Sequence, residues 1–324
     1  MFDLVAGFVQ SQTLMALVEL EVLEALLQRP MTIAQLAARA SVPEDKMGVL
    51  LRAGAALHLL ARKRGTYLLT QKGAALVGVP GLAQMIKHHR VLYRDLEDPV
   101  AFLRGETDTE LADFWPYVFG AGAAEDPATA ETYSDLMAES QQLVAEDTLR
   151  MVSFKDTGHL LDIGGGTGAF LTEVGAAYPK LPVTLFDLPA VVPAAQARFA
   201  RAGMQARATI VPGSFRDDAL PQGADTISLI RVLYDHADET VAALVSKCFD
   251  SLPDGGRLVI SEPMLGCRAG DVYFAFYTLA MRTGRARSAD EIADICRAAG
   301  FSNIDVPTAP RPFVTSAVIA RKGG

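Results

Sequence analysis

Apolar residues at helical spacing dominate the first half of the chain. Over residues 2–28 they recur three and four positions apart on more than one side, which predicts a helix that buries more than one face. Over residues 31–76 the pattern predicts a helix, a turn at residues 41–43, a second helix and a hairpin around residues 62–66. This order of elements is typical of a winged helix-turn-helix.

The second half of the chain has a different pattern. Residues 81–155 are still mostly helical, with breaks at Asp98-Pro99, Trp115-Pro116 and Asp126-Pro127. After Gly158, helical stretches alternate with short apolar runs, which are HLLDI, PVTLFDL, ATIVPG, DTISLI, GRLVISEP, SNIDV and FVTSAVIA. This alternation predicts an α/β fold with a doubly wound, Rossmann-like and mostly parallel sheet. We therefore predict a winged-helix domain over 1–80, a helical segment over 81–157 and a sheet domain over 158–324.

Composition narrows the function classes. Half of the 324 residues are hydrophobic, so large cores can form, and the formal charge of −8 disfavours a general nucleic-acid binder. Three cysteines, with neither CxxC spacing nor neighbouring histidines, predict no metal site and fit a reducing cytoplasm. The opening residues lack the basic region of a signal peptide, and no apolar run approaches the ~20 residues of a membrane-spanning helix. Because the helical pattern begins at Phe2 without a preceding capping residue, we expect an N-terminal extension.

The run LLDIGGGTGAFL, residues 160–171, begins as a buried strand and then places four glycines within five residues. In an open α/β sheet, ligands bind beyond the carboxyl ends of the strands, and glycines there let a ligand touch the backbone. Such a turn also fits a dinucleotide. Asp162, two residues before the first glycine, favours a positively charged ligand over a pyrophosphate. Asp187, which ends the second strand, is placed to accept hydrogen bonds from ribose hydroxyls.

Together with LPDGGRLVISEP at residues 252–263, these features resemble the class I S-adenosylmethionine-dependent methyltransferases. The resemblance implies that the methionine portion of S-adenosyl-L-methionine lies over the glycine turn. It also implies that Ser214 and Phe215 hold the adenosine, although Ser214 replaces the more usual aspartate. Arg231 matches a position that is usually basic in that family. The implied cofactor-binding residues are Asp162, Gly164, Gly166, Asp187, Ser214, Phe215 and Arg231.

The order of winged helix, helical middle and sheet resembles the caffeate-type O-methyltransferases over essentially the whole chain, which implies a homodimer built through the winged-helix domain. A narrower resemblance is to bacterial hydroxyneurosporene and demethylspheroidene O-methyltransferases of carotenoid biosynthesis. It is carried by FDLVAGFVQSQ, LYRDLEDPVAFLRGE, FWPYVFGAG, RVLYDHADETVAALV and GDVYFAFYTLAMRTGRARSADEI. It implies methyl transfer to the tertiary 1-hydroxyl of an acyclic carotenoid. Bacteriochlorophyllide C-methyltransferases share the architecture and are the alternative.

The catalytic positions depart from the family pattern. Plant-type members have a histidine base where this chain has Tyr234, in the run Tyr234-Asp235-His236. Of the two carboxylates that orient that histidine, Glu262 matches one, and Ala286 stands at the position of the other. A tertiary alcohol is a far weaker acid than a phenol, so a histidine cannot ionise it beforehand. The resemblance therefore implies catalysis mainly by positioning, in which Tyr234 accepts or relays a hydrogen bond and His236 or Glu262 takes the proton. The alternatives are that Tyr234 only packs and that His236 faces solvent.

A hydrocarbon substrate needs an apolar channel with few polar groups. The candidate lining residues are Tyr93, Phe114, Trp115, Tyr117, Phe119, Tyr133, Met137, Tyr273, Phe274, Phe276, Tyr277 and Met281.

The winged helix leaves a second function class open. Residues 29–72 contain eight Lys or Arg against two acidic residues, which favours a polyanion, and a transcriptional regulator is the minor alternative. The second helix offers an apolar surface that suits a protein partner better than DNA. The basic residues Arg62, Lys63 and Arg64 at the hairpin tip suggest peripheral contact with the inner or photosynthetic membrane, or simply a solvated loop.

Overall fold

The computed structural model of the protein describes residues 1–79, 81–114 and 141–323. The chain divides into two compact units, Met1–Tyr93 and Arg94–Gly324. In the first unit the apolar pattern over residues 2–28 forms three helices, where the sequence predicts one. They are α1 (Phe2–Val5), α2 (Gly7–Glu19) and α3 (Val22–Gln28). The break before α3 lies at Glu21, whose φ of 52° is left-handed and ends the regular helix.

The winged helix-turn-helix is confirmed within the first unit. It consists of α4 (Ile33–Ala40), α5 (Glu44–Ala56), β1 (Leu60–Lys63), β2 (Thr66–Leu69) and α6 (Gln71–Gly78). Thr32 and Gln35 form a capping box that begins α4, and Ser41 ends that helix in a left-handed conformation. The antiparallel β1–β2 hairpin turns at residues 64–65, as the sequence predicts. Buried side chains of α2, α3, α4 and α5 form the core of this unit.

Short helices connect the first unit to the sheet. Helix α7 (Leu82–Asp95) spans the division between the units and is followed by α8 (Pro99–Leu103) and α9 (Glu110–Phe114). Asp98 caps α8 by accepting the N–H groups of Val100 and Ala101, so the predicted break at Asp98-Pro99 is confirmed. The other two predicted breaks lie outside the described residues. A further helix, α10, occupies residues 141–151 before the first strand of the sheet.

The second unit contains the predicted doubly wound sheet. Its strands are β3 (Leu160–Ile163), β4 (Val183–Asp187), β5 (Ala208–Pro212), β6 (Thr226–Ile230), β7 (Arg257–Glu262), β8 (Asn303–Asp305) and β9 (Ser316–Arg321). Their order across the sheet is β5-β4-β3-β6-β7-β9-β8, and every pair from β5 to β7 is parallel. Within this sheet, as far as the structure describes it, only the pairs that β9 makes with β7 and β8 are antiparallel. The α/β prediction is thus confirmed.

Helices pack on both faces of this sheet, whose central strands are buried along their whole length. One face is covered by α13 (Asp238–Ser251) and α15 (Ala289–Ala298), and the other by α11 (Ala169–Ala177) and α12 (Val192–Arg201). Helix α14 (Ala275–Ala280) lies between β7 and α15 in the chain. A 3₁₀ turn (Leu233–Asp235) follows β6, and a π-helical segment (Ala269–Phe274) precedes α14. The parallel strands end at one edge, where the predicted site residues meet.

Among the residues described, no helix combines the length and apolarity that crossing a membrane would require.

Candidate active site

The glycines of the turn after β3 have different surroundings: two face packed side chains, and one faces open space. A Cβ at Gly164 would lie 2.9 Å from Val232 Cγ2, and one at Gly168 would lie 2.6 Å from Phe199 Cε1. At Gly166 the φ is +57°, and no atom of the described residues lies within 4 Å of the Cβ position. Packing therefore excludes side chains at Gly164 and Gly168, whereas Gly166 borders open space that a ligand can occupy.

Asp162 lies beneath the glycine turn and is almost fully buried. Its Oδ1 accepts a hydrogen bond of 2.6 Å from Ser228 Oγ of the adjacent strand. Its Oδ2 has no hydrogen-bond partner among the described residues and lies 2.7 Å from the position that a Cβ of Gly165 would take. Burial, together with the neighbouring charge of Asp187, raises the pKa of Asp162 to about 7 against the opposing effect of the Ser228 hydrogen bond. A buried carboxylate with one free oxygen is suited to a cationic ligand.

Asp187 ends β4 beside the same turn and is half-buried. Its Oδ2 accepts the N–H of Gly166 at 2.7 Å, and its Oδ1 accepts the N–H of Leu188 at 2.7 Å. Burial raises the pKa of Asp187, and these two backbone hydrogen bonds oppose the rise. The structure therefore brings Asp187 together with the glycine turn, at the carboxyl end of the neighbouring strand.

The segment after β5 is held by hydrogen bonds of its own. Ser214 Oγ donates to Asp217 at 2.9 Å, while its backbone N–H donates to Asp218 at 2.8 Å. Phe215 is half-buried, and its ring meets the His236 ring edge-on with the centroids 5.2 Å apart. Lys247 of α13 donates to the carbonyl oxygens of Phe215, Arg216 and Asp218. Sequence analysis missed Lys247, which fixes this loop entirely through its backbone.

Arg231 and Tyr234 lie together after β6. Arg231 has a φ of 59°, uncommon for a residue with a side chain, and its Nη1 donates to Gln141 Oε1 of α10 at 3.4 Å. Tyr234 is buried and hydrogen-bonds with Arg231. Its pKa is well above the usual value, first because of burial and then because of the nearby Asp235 charge. The phenol of Tyr234 is therefore neutral at physiological pH.

His236 follows Tyr234 closely in sequence but has a different environment. The side chain is buried, so the alternative of a solvent-facing histidine is wrong. Its Nδ1 accepts a hydrogen bond from Arg216 at 3.1 Å, and the ring packs against Phe215. Burial and the charges of Arg216 and Arg287 lower the pKa of His236 to about 3. His236 is thus a neutral imidazole against the loop after β5, whereas Tyr234 meets the ring of Phe274.

Glu262 ends β7 and is fully buried. Its Oε2 accepts the backbone N–H groups of Leu233 at 2.9 Å and Tyr234 at 3.2 Å. Its Oε1 has no hydrogen-bond partner in the described part of the chain. Burial raises the pKa of Glu262 to about 7, opposed by the positive charge of Arg287 and by the two hydrogen bonds. The carboxylate therefore contacts the backbone of the turn that carries Tyr234.

Three of the predicted channel residues of the second unit form a chain of aromatic rings that reaches Tyr234. Phe274 meets the Tyr234 ring edge-on at 6.2 Å, and Tyr273 lies 4.8 Å from Phe274 and 5.7 Å from Tyr277, measured between ring centroids. Phe276 stacks with Phe102 of α8 at 6.1 Å, and Met281 is buried. Tyr93 belongs to the first unit. The predicted residues Trp115, Tyr117, Phe119, Tyr133 and Met137, and the side chain of Phe114, lie outside what the structure describes.

Two family models match the chain. One is an O-methyltransferase dimerisation domain over residues 2–78, and the other is an O-methyltransferase domain over residues 93–302. The chain belongs to the O-methyltransferase family. It is an S-adenosyl-L-methionine-dependent O-methyltransferase.

Curated relatives of this O-methyltransferase cover nearly its full length. One relative is a demethylspheroidene O-methyltransferase of Cereibacter sphaeroides, to which the chain is 55% identical. The alignment covers 99% of this chain and 86% of the relative. A second relative is a demethylspheroidene O-methyltransferase of Rhodobacter capsulatus, to which the chain is 53% identical. That alignment covers the whole of this chain and 82% of the relative. The resemblance carried by the sequence segments is therefore confirmed.

Solved structures agree with this assignment. Human N-acetylserotonin methyltransferase in complex with S-adenosylmethionine superposes with a TM-score of 0.85, at 25% identity, over 99% of this chain and 96% of that one. The methyltransferase CalO1 of calicheamicin biosynthesis, with S-adenosylhomocysteine bound, superposes with a TM-score of 0.79, at 26% identity, over 99% and 97%. The cofactor of the O-methyltransferase is S-adenosyl-L-methionine. The residues present fit it, because Gly166 borders open space and Asp162 has a buried carboxylate oxygen without a hydrogen-bond partner among the described residues.

Proposed function

We propose that this O-methyltransferase transfers a methyl group to the tertiary 1-hydroxyl of an acyclic carotenoid of the hydroxyneurosporene or demethylspheroidene type. The observation that carries the proposal is the 53% and 55% identity, over nearly the full chain, to two demethylspheroidene O-methyltransferases. The aromatic cluster formed by Tyr234, Tyr273, Phe274 and Tyr277 supports it, because a polyene end group needs a mainly apolar pocket with few polar groups.

The cofactor-binding residues act as a set around the glycine turn. S-adenosyl-L-methionine, when bound, supplies an electrophilic methyl group on a sulfonium. We assign Asp162, beneath the turn, as the carboxylate that balances the positive charge of the cofactor. We assign Asp187 as the acceptor of hydrogen bonds from the ribose hydroxyls of the cofactor. Gly166 provides the open backbone edge of the cradle. Ser214 and Phe215 border the adenosine, and Arg231 closes the site after β6.

Tyr234 is the residue that we place at the substrate hydroxyl. Its phenol is neutral, so it cannot act as a phenolate base, but its oxygen retains the capacity to accept a hydrogen bond. Arg231 and the backbone of the turn fix its orientation. A weakly acidic tertiary alcohol keeps its proton until late in methyl transfer, and alignment then makes the main contribution, which reaches ~7–11 kcal/mol in favourable cases.

The hydrogen bonds and pKa values of His236 and Glu262 favour one of these two candidates as the proton acceptor. His236 has its Nδ1 occupied by Arg216 and a pKa lowered to about 3, so it is a poor base. Glu262 has a pKa of about 7 and a buried Oε1 that has no hydrogen-bond partner among the described residues, which leaves it able to hold a proton. We therefore propose that Glu262 takes the proton of the substrate hydroxyl. His236 instead packs against the ring of Phe215 and supports it.

The test is mass spectrometry of a 1-hydroxy acyclic carotenoid after incubation with the enzyme and methyl-labelled cofactor. One labelled methyl ether per hydroxyl end is expected. The matched control is the same polyene without the hydroxyl, which should stay unlabelled. A label on carbon of a bacteriochlorophyllide, with none on the carotenoid hydroxyl, would establish the alternative function instead.

We also propose that the first unit forms the homodimer. Its match to a dimerisation domain covers residues 2–78. At its start the unit exposes large apolar side chains, which would be covered by a second copy; these are Met1, Phe2, Leu4, Val5 and Phe8.

The hairpin tip is a proposed site of peripheral membrane contact. Arg62, Lys63 and Arg64 are all exposed, and a basic residue near an anionic surface contributes about 1 kcal/mol. Neutralising all three should reduce flotation with anionic vesicles and activity on membrane-borne carotenoid, while activity on detergent-dissolved carotenoid stays unchanged.

The control for this test is a variant that loses three exposed charges elsewhere in the unit, at Arg29, Lys46 and Arg52. It should float like the wild type. Equal flotation of the wild type and the hairpin variant would refute membrane contact through the hairpin.

A further inference from the structure

The turn that carries Tyr234, residues 233–236, is held through its backbone by two buried charged side chains. Glu262 accepts the N–H groups of Leu233 and Tyr234. Arg287 donates to the carbonyl oxygens of Leu233 and His236, each at 2.9 Å. Four backbone polar groups of one short turn are thus fixed by two buried charged side chains.

Arg287 is fully buried, and every one of its five N–H donors is used. Besides the two turn carbonyls, Nη1 donates to Arg285 O at 3.2 Å. Nε and Nη2 both donate to Asp238 Oδ1, at 3.0 and 2.6 Å. No donor is left for a ligand, so Arg287 can influence the reaction only through the groups that it holds. A lysine has three donors and cannot reproduce this planar arrangement.

A second contact presses the same segment against the turn. Thr283 Oγ1 donates to Asp235 O at 3.1 Å. At Gly284 a Cβ would lie 2.1 Å from Tyr234 O and 2.8 Å from the Asp235 carbonyl carbon. Because both atoms belong to the backbone, an alanine at residue 284 would have to displace the turn itself. Residues 283–287, which we call the clamp, therefore hold the turn in place.

We propose that Arg287 is a positioning residue for methyl transfer: through the carbonyl oxygens of Leu233 and His236, it sets the place of the Tyr234 side chain. The proposal rests on the proposed role of Tyr234 at the substrate hydroxyl. It accounts for the lack of a second carboxylate at Ala286, since a tyrosine held by its backbone and by Arg231 does not need the ring-orienting acid pair of a histidine.

The test compares Arg287→Lys and Gly284→Ala with the wild type in steady-state methyl transfer to the 1-hydroxy carotenoid. Both variants should lower kcat by about 10- to 100-fold, the effect of a displacement of about 1 Å at a reacting group. KM for the carotenoid and the calorimetric Kd of the cofactor should change by less than about threefold, because neither residue contacts a ligand. Amide hydrogen exchange of residues 233–236 should become faster in both variants while the sheet is unaffected.

The control is Arg257→Lys. Arg257 also makes several hydrogen bonds, to Ser153, Thr157 and Thr226, but at the amino end of the strands. It should lower Tm and leave kcat within about twofold when assayed well below Tm. If Arg287→Lys and Gly284→Ala also lowered Tm but left kcat within about twofold, the proposal would be overturned, and the clamp would only stabilise the fold.

Two further outcomes are distinguishable. If Arg287→Lys does not fold, the kcat of Gly284→Ala decides. If the wild type does not methylate the carotenoid, the proposed substrate is wrong, and hydrogen exchange of residues 233–236 still decides whether the clamp holds the turn. Unchanged exchange in Gly284→Ala would refute it.

Discussion

Cofactor affinity should depend on pH through Asp162. This carboxyl is buried, keeps Oδ2 without a described partner, and has a pKa raised to about 7. Below that pH the free enzyme holds a proton on Asp162, and this proton must leave before the carboxylate can balance the positive charge of the cofactor. Affinity is therefore fully present above pH 7 and is lost as the pH falls through 7.

The magnitude follows from linkage of one proton. With the ionised form as the binding form, the apparent Kd should rise by about tenfold between pH 8 and pH 6, or about 1.4 kcal/mol. Isothermal titration calorimetry measures this directly. Repeating the titration at pH 7 in buffers of different ionisation enthalpy should show release of about half a proton per cofactor bound.

The control is Asp162→Asn, which keeps the shape and an acceptor for Ser228 but cannot ionise. Its Kd should be weaker at pH 8 by about 1.5–3 kcal/mol and should not change with pH. Glu262→Gln controls for the other carboxyl with a pKa of about 7 and should keep the wild-type pH dependence. A wild-type Kd that is the same at pH 6 and pH 8, or an Asp162→Asn variant that still shows the tenfold change, would refute the reasoning.

Three further predictions follow from the site. Asp187→Ala should weaken cofactor binding by about 1.5–3 kcal/mol, because hydrogen bonds to a charged group are lost; unchanged calorimetric affinity would contradict this. Tyr234→Phe should lower kcat by about 10- to 100-fold at unchanged cofactor Kd, and full activity would show that the phenol only packs. Light scattering at micromolar concentration should give a dimer mass, and truncation of residues 2–9 should shift it toward the monomer; a monomeric wild type would rule out the proposed interface.

Local patterns of apolar and polar residues were sufficient to predict most of the helices and strands. The apolar runs after Gly158 each became a strand, because each is short and bounded by turn residues. The central runs are also buried along their whole length, as expected for parallel strands covered on both faces. The break between α4 and α5 and the hairpin at residues 64–65 were equally local. The opening segment was different: its helical period continued through Glu21, whose left-handed backbone ends one helix and starts another, and nothing in the residue pattern marks that change.

The proposed cofactor-binding residues could also be predicted from the sequence. Asp162, Gly166 and Asp187 stand at the ends of consecutive strands, and strands of a parallel sheet end at one edge, so their proximity followed from topology. The sequence did not reveal which glycine borders open space. Only packing in three dimensions shows that Val232 and Phe199 exclude side chains at Gly164 and Gly168, whereas Gly166 is open.

The catalytic side was decided by tertiary structure. Tyr234 and His236 are two residues apart in a 3₁₀ turn and its cap, and that geometry sends one ring toward Phe274 and the other toward Phe215. Arg287 carries no signal in the sequence, where an arginine among other arginines is typical of a solvated surface. It is buried because residues 233–238, about fifty positions away in the sequence, fold against it, and two of their carbonyl oxygens, the carboxylate of Asp238 and the nearby Arg285 carbonyl accept all five of its donors. Sequence alone thus determined most of the helices and strands, the proposed cofactor edge and the family. The pairing of buried charged side chains with backbone groups was decided only by the tertiary structure, because it joins residues that are distant in the sequence.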